Sequence, residues 1–175
     1  MILTINQLEE IAKCTSPKRL ELILPNLNYV LKKYSIINNC RIAHFVTQLL
    51  VESNFFRYVE DIESGERYEG LEIFGNNQKG DGRRYKGRGY FKLIGRTSYE
   101  AYSRYSGIDV VYNPHLILTP KIAMDVAGWI WDTRRINFPA DEDSLAEVTK
   151  SVTGDYLVLR EREDVLKHVK KILGI

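Results

Sequence analysis

The sequence predicts a mainly α protein interrupted once by an irregular, glycine-rich segment. Three observations carry this reading. Apolar residues recur at helical spacing through most of the chain, Ser/Thr–Pro pairs mark helix starts ahead of two of those runs, and eight of the twelve glycines fall between Asn54 and Gly95. At 175 residues the chain suits one domain, 1–175, able to bury a core of its own, and no repeat, low-complexity tract or linker divides it.

Thr4 is placed to cap a short amphipathic helix through Ile11. Ser16-Pro17 reads as an N-cap followed by a first-turn proline, opening a segment with Leu20, Ile23 and Leu24. Pro25 is expected to restart the pattern, and the next segment sets Leu27, Val30 and Leu31 on one side. After Asn38-Asn39, the run RIAHFVTQLLVES places Ile42, Phe45, Val46, Leu49 and Leu50 at helical spacing, which predicts a core helix. Past the glycine-rich middle, Thr97-Ser98-Tyr99-Glu100 fits a capping box for a helix bearing Tyr99, Tyr102 and Tyr105 and closed by Gly107. Thr119-Pro120 starts a helix through Trp131 with Ile122, Val126, Trp129 and Ile130 inward, and two amphipathic segments, about 144–152 and 156–173, flank Gly154.

An apolar fraction of 44%, a charged fraction of 27% and a formal charge of +2 are those of an ordinary soluble protein and imply no polyanionic partner. The N-terminal MILTINQLEEIAK is not built like a secretory leader, so the protein is expected to be cytoplasmic as synthesised, and no apolar run approaches the length of a membrane span. Cys14 and Cys40 read as two buried or half-buried thiols in a reducing compartment. Neither is expected to find a second thiol or a histidine at ligand spacing, so no metal and no cofactor are anticipated.

The middle segment is the expected site, because dense glycine marks tight turns or close approach to the backbone. Its charge is segregated: seven acids lie from Glu52 to Glu72 against Arg57 and Arg67, and eight bases from Lys79 to Arg104 against Asp81 and Glu100. GDGRRYKGRG, from Gly80 to Gly89, lacks the Gly-Lys-Ser/Thr ending of a phosphate loop, and the neighbouring acids would repel nucleic acid. Such a stretch better suits something uncharged, with Arg88 or Arg84 pinning the acids opposite.

Glu52 falls at the edge of the apolar stripe, near the C-terminal end of its helix. Desolvation and the helix dipole both disfavour the anion there, so its pKa is expected to rise. Two readings follow, an ion pair to a buried arginine such as Arg88 or a general acid. A second carboxylate, Glu60 or Asp61, would complete an acid/base pair of the kind that glycoside hydrolysis uses, whereas the same acids also suit a solvated face.

Glu52-Ser53 after an apolar helix, Val59-Glu60-Asp61-Ile62, Gly75-Asn76-Asn77-Gln78, the Gly80–Gly89 block, Gly95-Arg96 with Tyr99, and AGWIWDTRRIN from Ala127 to Asn137 together resemble family 19 glycoside hydrolases. That family includes chitinases and the lysozyme-like endolysins of phages and bacteria, and the resemblance runs from about residue 37 to the C-terminus. It implies a lysozyme-like, mostly helical domain whose glycine-rich region lines a glycan cleft, with an inverting mechanism. Glu52 matches the general acid, with Val51 where the family usually has histidine. Asp61 matches the general base by ungapped comparison, and Glu60 does so after a one-residue shift.

The resemblance further implies that Arg88, Tyr90, Lys92, Ile94, Ser98 and Thr153 lie at substrate-binding positions. Lys92 stands where the family has a sugar-contacting glutamine, Ile94 where a hydroxyl helps to hold the attacking water, and Ser98 where it has asparagine. Thr153-Gly154-Asp155 replaces an Asn-Gly-Gly. Two functions are compatible with this pattern. One is a small, monomeric wall hydrolase that cuts β-1,4 links of peptidoglycan or chitin and reaches the wall by lysis or a holin. The other is a catalytically silent relative that binds glycan or a protein partner.

Overall fold

The computed structural model describes residues 2–156 and 159–175. Its α-helices are α1 (Ile5–Ile11), α2 (Pro17–Lys33), α3 (Asn39–Glu52), α4 (Asp81–Arg84), α5 (Arg96–Ser106), α6 (Pro120–Thr133), α7 (Asn137–Asp141), α8 (Leu145–Thr153) and α9 (Leu159–Leu173), with 3₁₀ turns at Glu66–Tyr68, Glu72–Phe74 and Pro114–Leu118. Among the described residues there is no strand beyond isolated bridges of Arg88 to Glu60 and to Leu93, and no helix is long and apolar enough to cross a membrane. Backbone proximity resolves the chain into two compact units, one made of the chain up to Arg57 with Gly128–Ile175, the other of Tyr58–Ala127.

In the first unit, Thr4 and Gln7 form a reciprocal capping box at α1. Helix α2 does not restart at Pro25 but runs through it. An interior proline costs about 3 kcal/mol, yet Leu20, Ile23, Leu24, Leu27, Val30 and Leu31 make one buried stripe across it. At roughly 1.5–3 kcal/mol per buried apolar side chain, that stripe outweighs the lost hydrogen bond. Asn38 caps α3, its Oδ1 accepting from the Arg41 amide at 2.8 Å. Helix α3 is buried without a break from Ile42 to Leu50, so His44, Thr47 and Gln48 are buried along with the predicted apolar residues. It packs most extensively on α9, whose buried residues are Arg162, Leu166 and Val169. Phe45 meets Trp131 edge to face at 5.1 Å, and the Trp131 indole donates to Asn137 Oδ1 at 2.8 Å.

In the second unit, α5 starts one residue before the expected capping box. Gly95, at φ 86°, is the N-cap in place of Thr97, and Asn76 Oδ1 accepts from the Arg96 amide at 2.9 Å, so a distant side chain satisfies the first helical N–H. Tyr99 and Tyr102 are buried and Tyr105 is exposed. Gly107 closes the helix as expected. Arg96 also grips the buried Asp81 through Nη2 at 2.5 Å and Nε at 2.9 Å, tying α5 to α4.

Three further expectations need correction. In α6 the buried face is built from Ala123, Met124, Val126, Ala127, Ile130 and Trp131, while Ile122 and Trp129 are half-buried: the inward stripe runs i, i+3, i+4, i+7 from Ala123, one position on from Ile122. Cys14 is exposed, not buried. The last amphipathic segment is helical only from Leu159. Tyr156 is exposed, and Leu157 and Val158 lie outside the described residues.

Candidate functional site

Glu52 is the last residue of α3. Its Oε1 accepts a hydrogen bond from Arg162 Nη2, and the two side chains differ sharply in exposure, 1% for the arginine and 21% for the glutamate. A buried cation thus stands behind a carboxylate that still reaches solvent. The partner is Arg162 and not Arg88, a residue that sequence reasoning overlooked. A signal was present: Arg162, Leu166 and Val169 follow i, i+4, i+7, so a permanent cation sits on the buried stripe of α9 and requires an acid. One turn before Glu52, Gln48 Nε2 donates to Thr149 Oγ1 at 3.1 Å, so α3 is also held from α8.

The chain leaves Glu52 through an unusual turn. Asn54, Phe55 and Phe56 are all left-handed, at φ 48°, 55° and 61°, a conformation that costs non-glycine residues roughly 1–2 kcal/mol each. Specific bonds hold it: Ser53 Oγ donates to Leu49 O at 2.5 Å and accepts from the Phe56 amide at 2.7 Å, and Thr15 Oγ1 donates to Phe55 O at 2.8 Å. Ser53, which follows Glu52 in the motif, therefore fixes the end of the helix.

Of the remaining candidates, Thr153 belongs with Glu52 to the first unit and the others to the second. Glu60 and Arg88 repeat the arrangement at Glu52. Arg88 Nε donates to Glu60 Oε1 at 2.8 Å, with side-chain exposures of 4% and 31%. Arg88 Nη1 donates to Arg84 O at 2.7 Å and to Tyr99 Oη at 3.0 Å, and its backbone exchanges hydrogen bonds with Leu93. Burial pushes the Tyr99 phenol well above its usual value, so it stays protonated and donates to Lys86 O at 2.7 Å. Lys86 Nζ lies 3.5 Å from Glu60 Oε1.

Asp61 sits differently. Its side chain is 15% exposed, and Oδ2 accepts from the Gly87 amide at 3.2 Å and from Tyr68 Oη at 3.3 Å. A Cβ on residue 87 would fall 2.5 Å from that oxygen, which explains glycine there. Asp61 thus fastens the loop at Gly87.

Tyr90 is buried, while Lys92, Ile94 and Ser98 are half-buried. Lys92 takes a left-handed backbone at φ 51°, and its ammonium lies 3.4 Å from Tyr58 O. The Thr153 hydroxyl lies 3.0 Å from both Thr149 O and Asp155 O, which share its one hydrogen, and accepts from the Asp155 amide, so it ends α8. Two half-exposed glutamates, each backed by a buried arginine, are the groups with chemistry to offer: a fixed carboxyl can donate a proton or accept one from water.

No family model matches the chain. Chitinase 8 of rice (Oryza sativa subsp. japonica) is 37% identical over 60 residues, a stretch that covers 34% of this chain and 23% of the rice protein. Among solved structures, chitinase C from Streptomyces griseus HUT6037 superposes with a TM-score of 0.78 at 16% identity, over 99% of this chain and 77% of that one. A bacterial family 19 chitinase gives 0.77 at 17% identity, over 100% and 96%. The chain therefore has the lysozyme-like fold of family 19 chitinases.

Proposed function

We propose that this protein is a glycoside hydrolase that cuts β-1,4 bonds of a chitin-type glycan by inversion, with Glu52 as general acid and Glu60 as general base. What supports the reading is a half-exposed glutamate backed by a buried arginine in each of the two units, in a chain with a family 19 chitinase fold. Glu52 protonates the leaving oxygen, while Glu60 takes a proton from the water that attacks the anomeric carbon from the opposite face. Arg162 and Arg88 fix the two carboxyls, so little reorganisation is needed at the moment of reaction. Glu60 suits the base better than Asp61 does, because the Asp61 carboxylate is more buried and one of its oxygens is engaged by the loop at Gly87. Ile94 offers no hydrogen bond to a water, so turnover is slow. The same residue favours a second reading, a silent binder of glycan.

The test is release of reducing ends from chitin oligomers and, in parallel, from peptidoglycan, whose β-1,4 links the same pair would cut. Glu52→Gln and Glu60→Gln should each lower the rate by about 10²–10⁴, the usual contribution of general acid–base catalysis, with Asp61→Asn costing much less. If Asp61→Asn abolishes turnover and Glu60→Gln spares it, Asp61 is the base. If wild type turns over neither substrate but binds one of them, the silent reading holds.

A further inference from the structure

Helix α3 carries a polar residue at every fourth position, Cys40, His44, Gln48 and Glu52, and the proposed chemistry uses the last alone. Residues four apart lie one above the other on a helix, so Cys40 and His44 share one side of α3. This corrects the expectation that neither cysteine has a histidine at ligand spacing. From the α7–α8 connection Asp143 joins them, at a left-handed φ of 56°. His44 Nε2 is 2.8 Å and Cys40 Sγ 3.7 Å from Asp143 Oδ1, and the three ligand atoms lie within 4.8 Å of one another.

We propose that Cys40, His44 and Asp143 form a binding site for a divalent cation of the zinc class, one that pins the α7–α8 connection to the start of α3. Sulfur, imidazole and carboxylate donors together select zinc over magnesium or calcium, which take all-oxygen shells. Zinc bonds of about 2.0–2.3 Å place tetrahedral ligand atoms roughly 3.3–3.7 Å apart, so the observed spacings need adjustments of about an ångström or less. A fourth ligand is at hand in the Ala140 carbonyl oxygen, which accepts from Cys40 Sγ at 3.0 Å, or in water, since Asp143 is half exposed.

Lys170 Nζ holds both Asp143 oxygens, at 2.6 and 2.5 Å. Binding replaces that ammonium and expels one proton: the Cys40 thiol loses its hydrogen to solvent, the thiolate and carboxylate balance the dication, and His44 enters as the neutral Nδ1–H tautomer. Lys170, whose side chain is already 22% exposed, turns to solvent.

The experiment uses the full chain with Cys14→Ala, which removes the exposed thiol outside the site. Co²⁺ is added as a spectroscopic probe and Zn²⁺ for affinity and thermal unfolding. Expected are one ion per chain, a thiolate-to-cobalt charge-transfer band and a zinc-dependent rise in Tm. Cys40→Ala in the same background should abolish the band and weaken zinc binding beyond the 10–100-fold typical of losing an outer-shell partner. Lys170→Gln should tighten binding roughly two- to fivefold, the equivalent of a partly exposed ion pair. Cobalt binding without a charge-transfer band, zinc affinity indifferent to Cys40→Ala, or weaker binding in Lys170→Gln would each overturn the assignment. Because His44 is fully buried, the test does not depend on replacing it.

Discussion

Replacing Arg88 by alanine should cost the protein about 3 kcal/mol, at the low end of the 3–5 kcal/mol for breaking a buried ion pair. The placement of that value follows from what the truncation leaves behind. Arg88 makes three side-chain hydrogen bonds, to Glu60, to Arg84 O and to Tyr99 Oη. Glu60 is not stranded, since it is 31% exposed and retains Lys86 at 3.5 Å. Tyr99 keeps its bond to Lys86 O, so the Arg84 carbonyl is the group that loses a partner. Arg88→Lys restores a charge for Glu60 but not the planar fork that serves the other two acceptors, and should cost about half as much. The assay is urea unfolding followed by far-UV circular dichroism, comparing midpoints at equal slope. Both variants should also lower glycan turnover, because Glu60 would no longer be fixed. An Arg88→Ala protein within about 0.5 kcal/mol of wild type, the range of ordinary surface changes, would mean that the buried arginine does not hold Glu60 and the Arg84 carbonyl in place.

Gly75→Ala should destabilise by more than the roughly 1–2 kcal/mol of left-handed strain, because its Cβ would also lie 1.9 Å from Thr97 Oγ1. Adding Thr97→Ala, which removes that oxygen, should recover part of the loss in the same unfolding assay. Burial raises the Asp81 pKa, but hydrogen bonds from Arg96 and the Gln78 amide outweigh it and hold the carboxyl below its usual range. Its contribution is therefore present above its unfolded value, about pH 3.9, and is lost as pH falls through the folded one. Asp81→Asn should be less stable than wild type at pH 7, with the gap narrowing below about pH 4. Ile94→Thr should raise the rate of glycan hydrolysis by supplying a hydroxyl for the attacking water. Robust wild-type turnover that this change lowers would show that the water is held elsewhere.

Where a helix is decided by its own neighbourhood, the sequence announces it. Thr4 before α1, and Gly107 and Gly154 after α5 and α8, are local devices, and each appears where the spacing puts it. The misjudged boundaries answer to distant partners. Pro25 is carried by a stripe continuous across six buried residues, and the start of α5 is set by Asn76, twenty residues away. The same holds at the site. Glu52 was recognisable from its position on the apolar stripe, but its partner Arg162 lies 110 residues on, and local spacing cannot join them. Glu60 and Asp61 are adjacent and chemically alike. They part only because Arg88 turns to one and the Gly87 amide to the other. Cys40 and His44 were within reach of helical spacing, and Asp143 is the residue that no local pattern supplies.

If Glu52 acts as general acid and Glu60 as general base, hydrolysis of a β-1,4 glycan inverts the anomeric centre. Proton NMR of chitin oligomers during the first minutes of turnover reads this most directly, because the anomeric signal of the new reducing end appears before mutarotation scrambles it. Inversion predicts α-anomer from wild type, formed slowly, and none above background from Glu52→Gln. Product released first as the β-anomer, or formed at an equal rate by Glu52→Gln, would contradict it.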